Sequence, residues 1–176
     1  MASASVVQRA KKIKLLLLDV DGVLTDGRII YDSKGADAKL FDVHDGLGVY
    51  LLGRMGIKTI LITAKGSKAI GPRARDMRVE KVYADITPKT KVYEQIHKRY
   101  RMRDEEICFV GDDLVDVGVL KRVGLPIAVA NACTEIKKIS AYITKNKGGR
   151  GAVREVAELI LKSQNKWKKA LVLYEQ

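Results

Sequence analysis

The stretch Lys14-Leu15-Leu16-Leu17-Leu18-Asp19-Val20-Asp21-Gly22-Val23-Leu24-Thr25-Asp26 decides how the chain is read. Its apolar run is far shorter than the about 20 residues that span a membrane. It suits a strand buried on both faces, as in a parallel sheet. The residues after such a strand emerge at the carboxyl edge of the sheet, where open α/β folds keep their sites. Asp19 and Asp21 are two apart, so on extended backbone they share a face. Paired carboxylates repel unless a proton or a cation lies between them, and a divalent metal held by oxygen ligands answers that need. Taken alone, D-x-D-G reads more readily as a solvated turn; the other strand ends decide between the two.

Composition sets the frame. The chain has 176 residues, 47% of them apolar and 31% charged, with a net charge of +12. That length buries a core, and that composition excludes disorder as the general state. The positive charge attracts anions of any kind. Basic residues are spread along the chain and aromatics are only 6%. Without an arginine-rich block or an aromatic-interleaved basic stripe, a nucleic-acid partner is not expected. Cys108 and Cys133 form no C-x-x-C pair, which fits a reduced cytoplasmic protein. No long apolar segment marks a signal or a membrane partner. Residues 1–11 are expected to be disordered, residues 12–163 to form a single domain, and residues 164–176 a basic tail.

Further strands follow at Lys58–Thr63, Val79–Tyr83, Ile107–Val110, Pro126–Val129 and Tyr142-Ile143, each separated from the next by a helical pattern. Helices are expected at about Gly46–Met55 with Asp45 as cap, at Ser67–Met77 and, after Thr87 as cap with Pro88 at the first position, through Tyr100. Others are expected at Leu114–Val123, Thr134–Ile139 and Ala152–Ser163. Such alternation predicts an α/β fold, doubly wound around a mostly parallel sheet. The one insertion, Arg28–Phe41, reads as a β-hairpin and is too small for a cap domain.

In a parallel sheet the strand ends converge on one edge. Asp19 and Asp21, Thr63, Lys89, and the group Asp112, Asp113 and Asp116 thus come within reach of one another. Together they make a phosphoryl-transfer set. It has a carboxylate nucleophile, a second acid/base, a hydroxyl and a lysine for the phosphoryl oxygens, and carboxylates for Mg²⁺.

The four segments D-V-D-G-V-L-T-D-G, the strand ending in Thr63, Lys89, and G-D-D-L-V-D resemble the motifs of the haloacid dehalogenase superfamily of phosphatases. The resemblance runs from about Lys12 to Lys162. The hairpin, D-V-H-D-G-L-G and G-G-R-G-A-V-R-E narrow it to the capless branch that hydrolyses 3-deoxy-D-manno-octulosonate 8-phosphate for lipopolysaccharide synthesis. Nonulosonate 9-phosphate phosphatases share these features.

The resemblance implies that Asp19 attacks phosphorus and that Asp21 is the acid and then the base. It implies that Asp19, the Asp21 carbonyl and Asp112 hold Mg²⁺, with Asp113 and Asp116 behind them. Thr63 and Lys89 would bind the phosphoryl group. Asp42, Val43, His44, Asp45, Gly46, Lys65 and Arg73 would contact the anionic sugar acid. It also implies a homotetramer with the hairpins at its centre and neighbouring subunits capping each site. Thr63-Ala64-Lys65 departs from the family's Thr-Gly-Arg, and His44 stands where an arginine is usual; both bear on the sugar. A non-catalytic binding subunit of the same fold is the contrasting reading, and the presence of both Asp19 and Asp21 speaks against it.

Overall fold

The computed structural model describes residues 2–175. Six strands form one sheet: β1 (Leu15–Leu18), β4 (Lys58–Ile62), β5 (Lys81–Tyr83), β6 (Ile107–Gly111), β7 (Leu125–Ala128) and β8 (Tyr142–Ile143). Their order is β5-β4-β1-β6-β7-β8, and every pairing is parallel. Leu17 is in register with Ile60 on one side and Phe109 on the other. The four leucines of β1 are fully buried, as a strand covered on both faces requires. The chain winds outward from β1 through β4 and β5, crosses back, and winds outward through β6, β7 and β8. This makes the expected doubly wound sheet, and its switch point lies between β1 and β6.

The helices are α1 (Ala4–Lys11), α2 (Val43–Arg54), α3 (Ile70–Asp76), α4 (Lys89–Tyr100), α5 (Val117–Leu120), α6 (Thr134–Ile139), α7 (Ala152–Ser163) and α8 (Trp167–Leu171). One layer is built where α1 and α2 pack on α7; α4, α5 and α6 pack together as a second. The hairpin strands β2 (Ile30–Tyr31) and β3 (Asp37–Ala38) pair antiparallel outside the main sheet. Among the described residues no helix is long and apolar enough to cross a membrane.

Several boundaries differ from expectation for identifiable reasons. Residues 4–11, expected to be disordered, form α1. Ser3 Oγ accepts from the Val6 amide at 3.3 Å, Val6 and Ala10 are buried, and Gln164 Nε2 donates to the carbonyls of Ala10 and Ile13. α2 begins at Val43, because the Asp42 carboxylate already accepts from the His44 and Asp45 amides. The expected cap, Asp45, is instead inside the helix.

α3 is shorter than expected at its N-terminal end, so Pro72 falls in its first turn, where an amide hydrogen has no helical partner to lose. Pro88 has extended backbone, φ −75° and ψ 146°, so α4 starts at Lys89 rather than at the proline. The helix expected from Leu114 is a 3-10 turn, Leu114–Asp116, followed by the four-residue α5. The tail is partly helical: in α8, Ala170 is buried, and Trp167 packs within the chain beneath Arg154 and Lys162.

Candidate active site

The carboxyl edge of β1, β4 and β6 carries a cleft of about 300 Å³ lined by Asp19, Asp21, Gly27, Ile29, Thr63, Ala64, Lys65, Asp112, Asp113 and Val115. At its floor, Lys89 enters from the first position of α4. Its Nζ lies 2.8 Å from Asp19 Oδ1 and 2.7 Å from Asp116 Oδ1. Lys89 is 2% exposed and Asp116 is fully buried. Burial pulls the Lys89 ammonium down, yet the two carboxylates hold it above its ordinary range. It is a fixed positive charge.

Asp19, Asp112 and Asp116 each offer a carboxylate oxygen, and these three oxygens lie within 4.8 Å of one another. Burial first, and then the neighbouring charges of Asp19, Asp116 and Asp113, push the Asp112 carboxyl above its usual range. Burial does the same to Asp19, partly offset by Lys89. One ammonium thus serves three crowded carboxylates, and the donor set suits a hard divalent cation such as Mg²⁺. The Asp116 oxygens are already committed, Oδ1 to Lys89 and Oδ2 to the Asp112 amide at 2.9 Å and the Asp113 amide at 3.5 Å. Its place is behind the other two, orienting them. Asp113 is turned to its own helix cap, accepting from the Leu114 amide.

Gly22 explains how closely the two strand ends approach. Its φ is +88°, and a Cβ there would lie 1.9 Å from Asp112 Oδ2. Thr25, buried beneath the same loop, accepts from the amides of Gly22 and Gly27. From the other side, Gly148 presses against the loop so tightly that a Cβ would meet the Gly22 carbonyl oxygen at 1.7 Å. Asn131 joins the two loops, donating to that carbonyl and accepting from the Gly148 amide.

Thr63 is buried at the end of β4, its hydroxyl donating to the Lys65 carbonyl at 3.0 Å. Lys65 reaches across to the hairpin, where Nζ donates to Tyr31 Oη at 2.5 Å and lies over the Tyr31 ring.

The expected sugar-contacting segment is not brought to this cleft within one chain. Asp42, Val43 and His44 line a separate groove of about 310 Å³ with Phe41, Gly149 and Arg150. Asp45 is buried and accepts from the amides of Gly151 and Arg154, so it caps α7; burial raises its carboxyl to about 6. Arg73 donates to the Asp42 carbonyl at 2.6 Å, stacks on Phe41, and covers the buried Gly46.

Comparison with known proteins places this geometry in a family. Residues 61–156 match the family model described as haloacid dehalogenase-like hydrolase. A Yersinia pestis protein named 3-deoxy-D-manno-octulosonate 8-phosphate phosphatase KdsC is 39% identical over 161 residues, 92% of this chain and 86% of that one. The chain belongs to the haloacid dehalogenase-like hydrolases, in the branch of the 3-deoxy-D-manno-octulosonate 8-phosphate phosphatases. The solved structure of such a phosphatase from Moraxella catarrhalis, in complex with magnesium ion, phosphate ion and KDO, superposes with a TM-score of 0.94. It is 38% identical and covers 97% of this chain and 98% of that one. A probable yrbI family phosphatase from Pseudomonas syringae superposes with a TM-score of 0.96 at 36% identity over 99% of both chains.

As a haloacid dehalogenase-like hydrolase, the chain holds two groups at its site that the strand-end motifs do not announce. Lys39, at the end of the hairpin, sets Nζ 2.5 Å from Asp21 Oδ1. Asn131 fastens the loop around Gly22. Lys39 carried one visible sign, a charged residue between Ala38 and Leu40 in a β-prone run; Asn131 carried none.

Proposed function

We propose that the chain is a Mg²⁺-dependent phosphatase that hydrolyses 3-deoxy-D-manno-octulosonate 8-phosphate through an aspartyl-phosphate intermediate. The observation that carries the reading is the buried Lys89 bridging Asp19 and Asp116 beside Asp112, at the floor of an open cleft. The relatives named for that reaction support the substrate, as does the ligand set of the Moraxella structure.

In this reading an Asp19 oxygen attacks phosphorus, and the bond from phosphorus to the sugar oxygen breaks. The departing oxygen takes its proton from Asp21. Water then attacks the phosphorus of the aspartyl phosphate, giving a proton to Asp21, and the bond to Asp19 breaks to restore the carboxylate. The sum is ester plus water to alcohol plus phosphate. Lys89 holds Asp19 oriented and offsets negative charge throughout; Thr63 would turn its hydroxyl from the Lys65 carbonyl to donate to a phosphoryl oxygen. Asp19, Asp112 and the Asp21 carbonyl would hold Mg²⁺, which supplies charge neutralisation for the phosphoryl oxygens. The net charge of +12 draws in a substrate bearing both phosphate and carboxylate.

The same reading makes the protein a cytoplasmic homotetramer. The hairpin and the turn into α2 expose Ile29, Ile30, Tyr31, Leu40 and Val43, and Leu114 and Val115 lie exposed at the cleft side. Apolar surface of this kind is expected at interfaces between copies. A neighbouring copy seated there would close a cleft that one chain leaves open, and would bring the exposed Val43 and His44 of one chain toward the site of another.

Phosphate release is the test, measured with Mg²⁺ on the octulosonate 8-phosphate, a nonulosonate 9-phosphate and hexose phosphates. Preference for the eight-carbon acid supports the proposal. Preference for the nine-carbon acid moves the chain to that specificity. Release from none of them, with or without metal, overturns it in favour of a binding role.

A further inference from the structure

The two buried carboxylates are held by the strand ends and by Lys89 of α4. Asp19 accepts from the Val20 amide and Lys89, and Asp116 from Lys89 and two amides. Asp21 is held differently. Among the described residues the side chain that donates to its carboxylate is Lys39, which comes from the hairpin. The Lys39 side chain is only 2% exposed, whereas that of Asp21 is 28% exposed at the cleft.

A surface hairpin lysine normally keeps its ammonium in water, because desolvating it is costly unless carboxylates compensate closely. Here Asp21 Oδ1 lies at 2.5 Å and Asp37 Oδ2 at 3.7 Å. That Asp37 oxygen is buried without a hydrogen-bond partner, so the lysine is its compensation. The arrangement Asp37–Lys39–Asp21 is thus a built strut between the hairpin and the cleft.

We propose that Lys39 is a positioning residue for proton transfer. By binding Oδ1 it pins the Asp21 carboxyl and leaves Oδ2 as the oxygen that carries and exchanges the proton. The hairpin is then part of the acid step, and its seating governs whether the sugar oxygen can leave. The proposal rests on the reading of Asp21 as the proton donor.

The test compares kcat/KM for two substrates in wild type, Lys39→Met, Lys39→Arg and Asp21→Asn, with Mg²⁺ throughout. One substrate is 3-deoxy-D-manno-octulosonate 8-phosphate, whose alkoxide needs a proton to depart. The other is p-nitrophenyl phosphate, whose leaving group departs as a stable anion. Because kcat/KM covers steps only through the first irreversible one, it isolates the acid role. A positioned acid supplies about 10²–10⁴-fold, so Lys39→Met is expected to lose roughly ten- to a hundredfold on the sugar phosphate and under about threefold on the aryl phosphate. Lys39→Arg, which keeps the charge, is expected to recover most of the loss.

Equal losses on both substrates would mean that Lys39 only supports the fold or the substrate pocket, and would overturn the proposal. No loss on either would overturn it as well. If Asp21→Asn shows the selective loss and Lys39→Met does not, the proposal fails while the reading of Asp21 stands. If Asp21→Asn shows no selectivity, that reading fails and the proposal with it.

Discussion

Lys89 Nζ lies 2.8 Å from Asp19 Oδ1, and the lysine side chain is 1% exposed. The charge that neutralises Asp19, the proposed nucleophile, is therefore built into the floor of the cleft before any substrate arrives. Removing it leaves Asp19 and Asp116 buried without a counter-charge. Lys89→Met is expected to lower kcat/KM by about 10²–10³, as for loss of one preorganised donor. It should also destabilise the metal-free protein by about 3 kcal/mol. Steady-state kinetics and urea melts in EDTA check the two effects separately.

Gly22→Ala is expected to damage the site rather than the core. The added methyl would lie 1.9 Å from Asp112 Oδ2 on backbone at φ +88°. Asp112 must move, and the strain costs about 1–3 kcal/mol. Mg²⁺ titrations followed by thermal melting should show weaker binding, and turnover should fall in parallel.

Metal binding itself should stabilise the fold. At a Mg²⁺ concentration about 100 times its dissociation constant, linkage adds about 2.7 kcal/mol. EDTA should remove that increment from the melt. Asp112→Asn is expected to abolish the increment, and Asp113→Asn, whose carboxylate caps the turn at Leu114, to keep most of it.

Acid should weaken the other end of the sheet. Glu106 bonds Lys14 at 2.6 Å and the Arg103 amide at 2.8 Å, and these contacts, the Lys14 bond foremost, lower its carboxyl to about 2. A depressed folded value means that Glu106 contributes stability above the ordinary carboxylate range near 4.5 and loses it as pH falls toward 2. Denaturant melts of wild type and Glu106→Gln should differ at pH 7 and converge between about pH 4.5 and 2. A difference that stays constant over that window would show the ion pair to be irrelevant.

The strand ends were the legible part of the site. Parallel pairing of β4, β1 and β6 carries Thr63, Asp19 and Asp112 to one edge whatever the loops do. A β-prone run and a polar end residue suffice to find them. Lys39 was not legible in that way, because only the fold-back of the hairpin decides which carboxylate it meets. Asp45 was misplaced for a related reason. Asx residues cap helices, but its partner is α7, more than a hundred residues later in the chain. Residues 1–11 read as disordered because the segment opens on small and polar residues, and of the helix at 4–11 just Val6 and Ala10 are buried. The Ser3 cap was present in the sequence, but the surface of α7 that makes the helix worthwhile was not.

The contact between Gly148 and the Gly22 carbonyl has a consequence for the order in which the protein becomes active. During synthesis, Asp19 and Asp21 leave the ribosome early, and Asp112 well after them. The loop that bears the first pair gains its last brace when Gly148 and Gly149 dock against Gly22 and Thr25, with the Gly149 amide bonding the Val23 carbonyl. Nascent chains that end before this point hold every ionisable group of the proposed reaction and still lack the wall that shapes their loop. The proposed activity is thus expected to arise late in translation, with two glycines that themselves have no part in the chemistry.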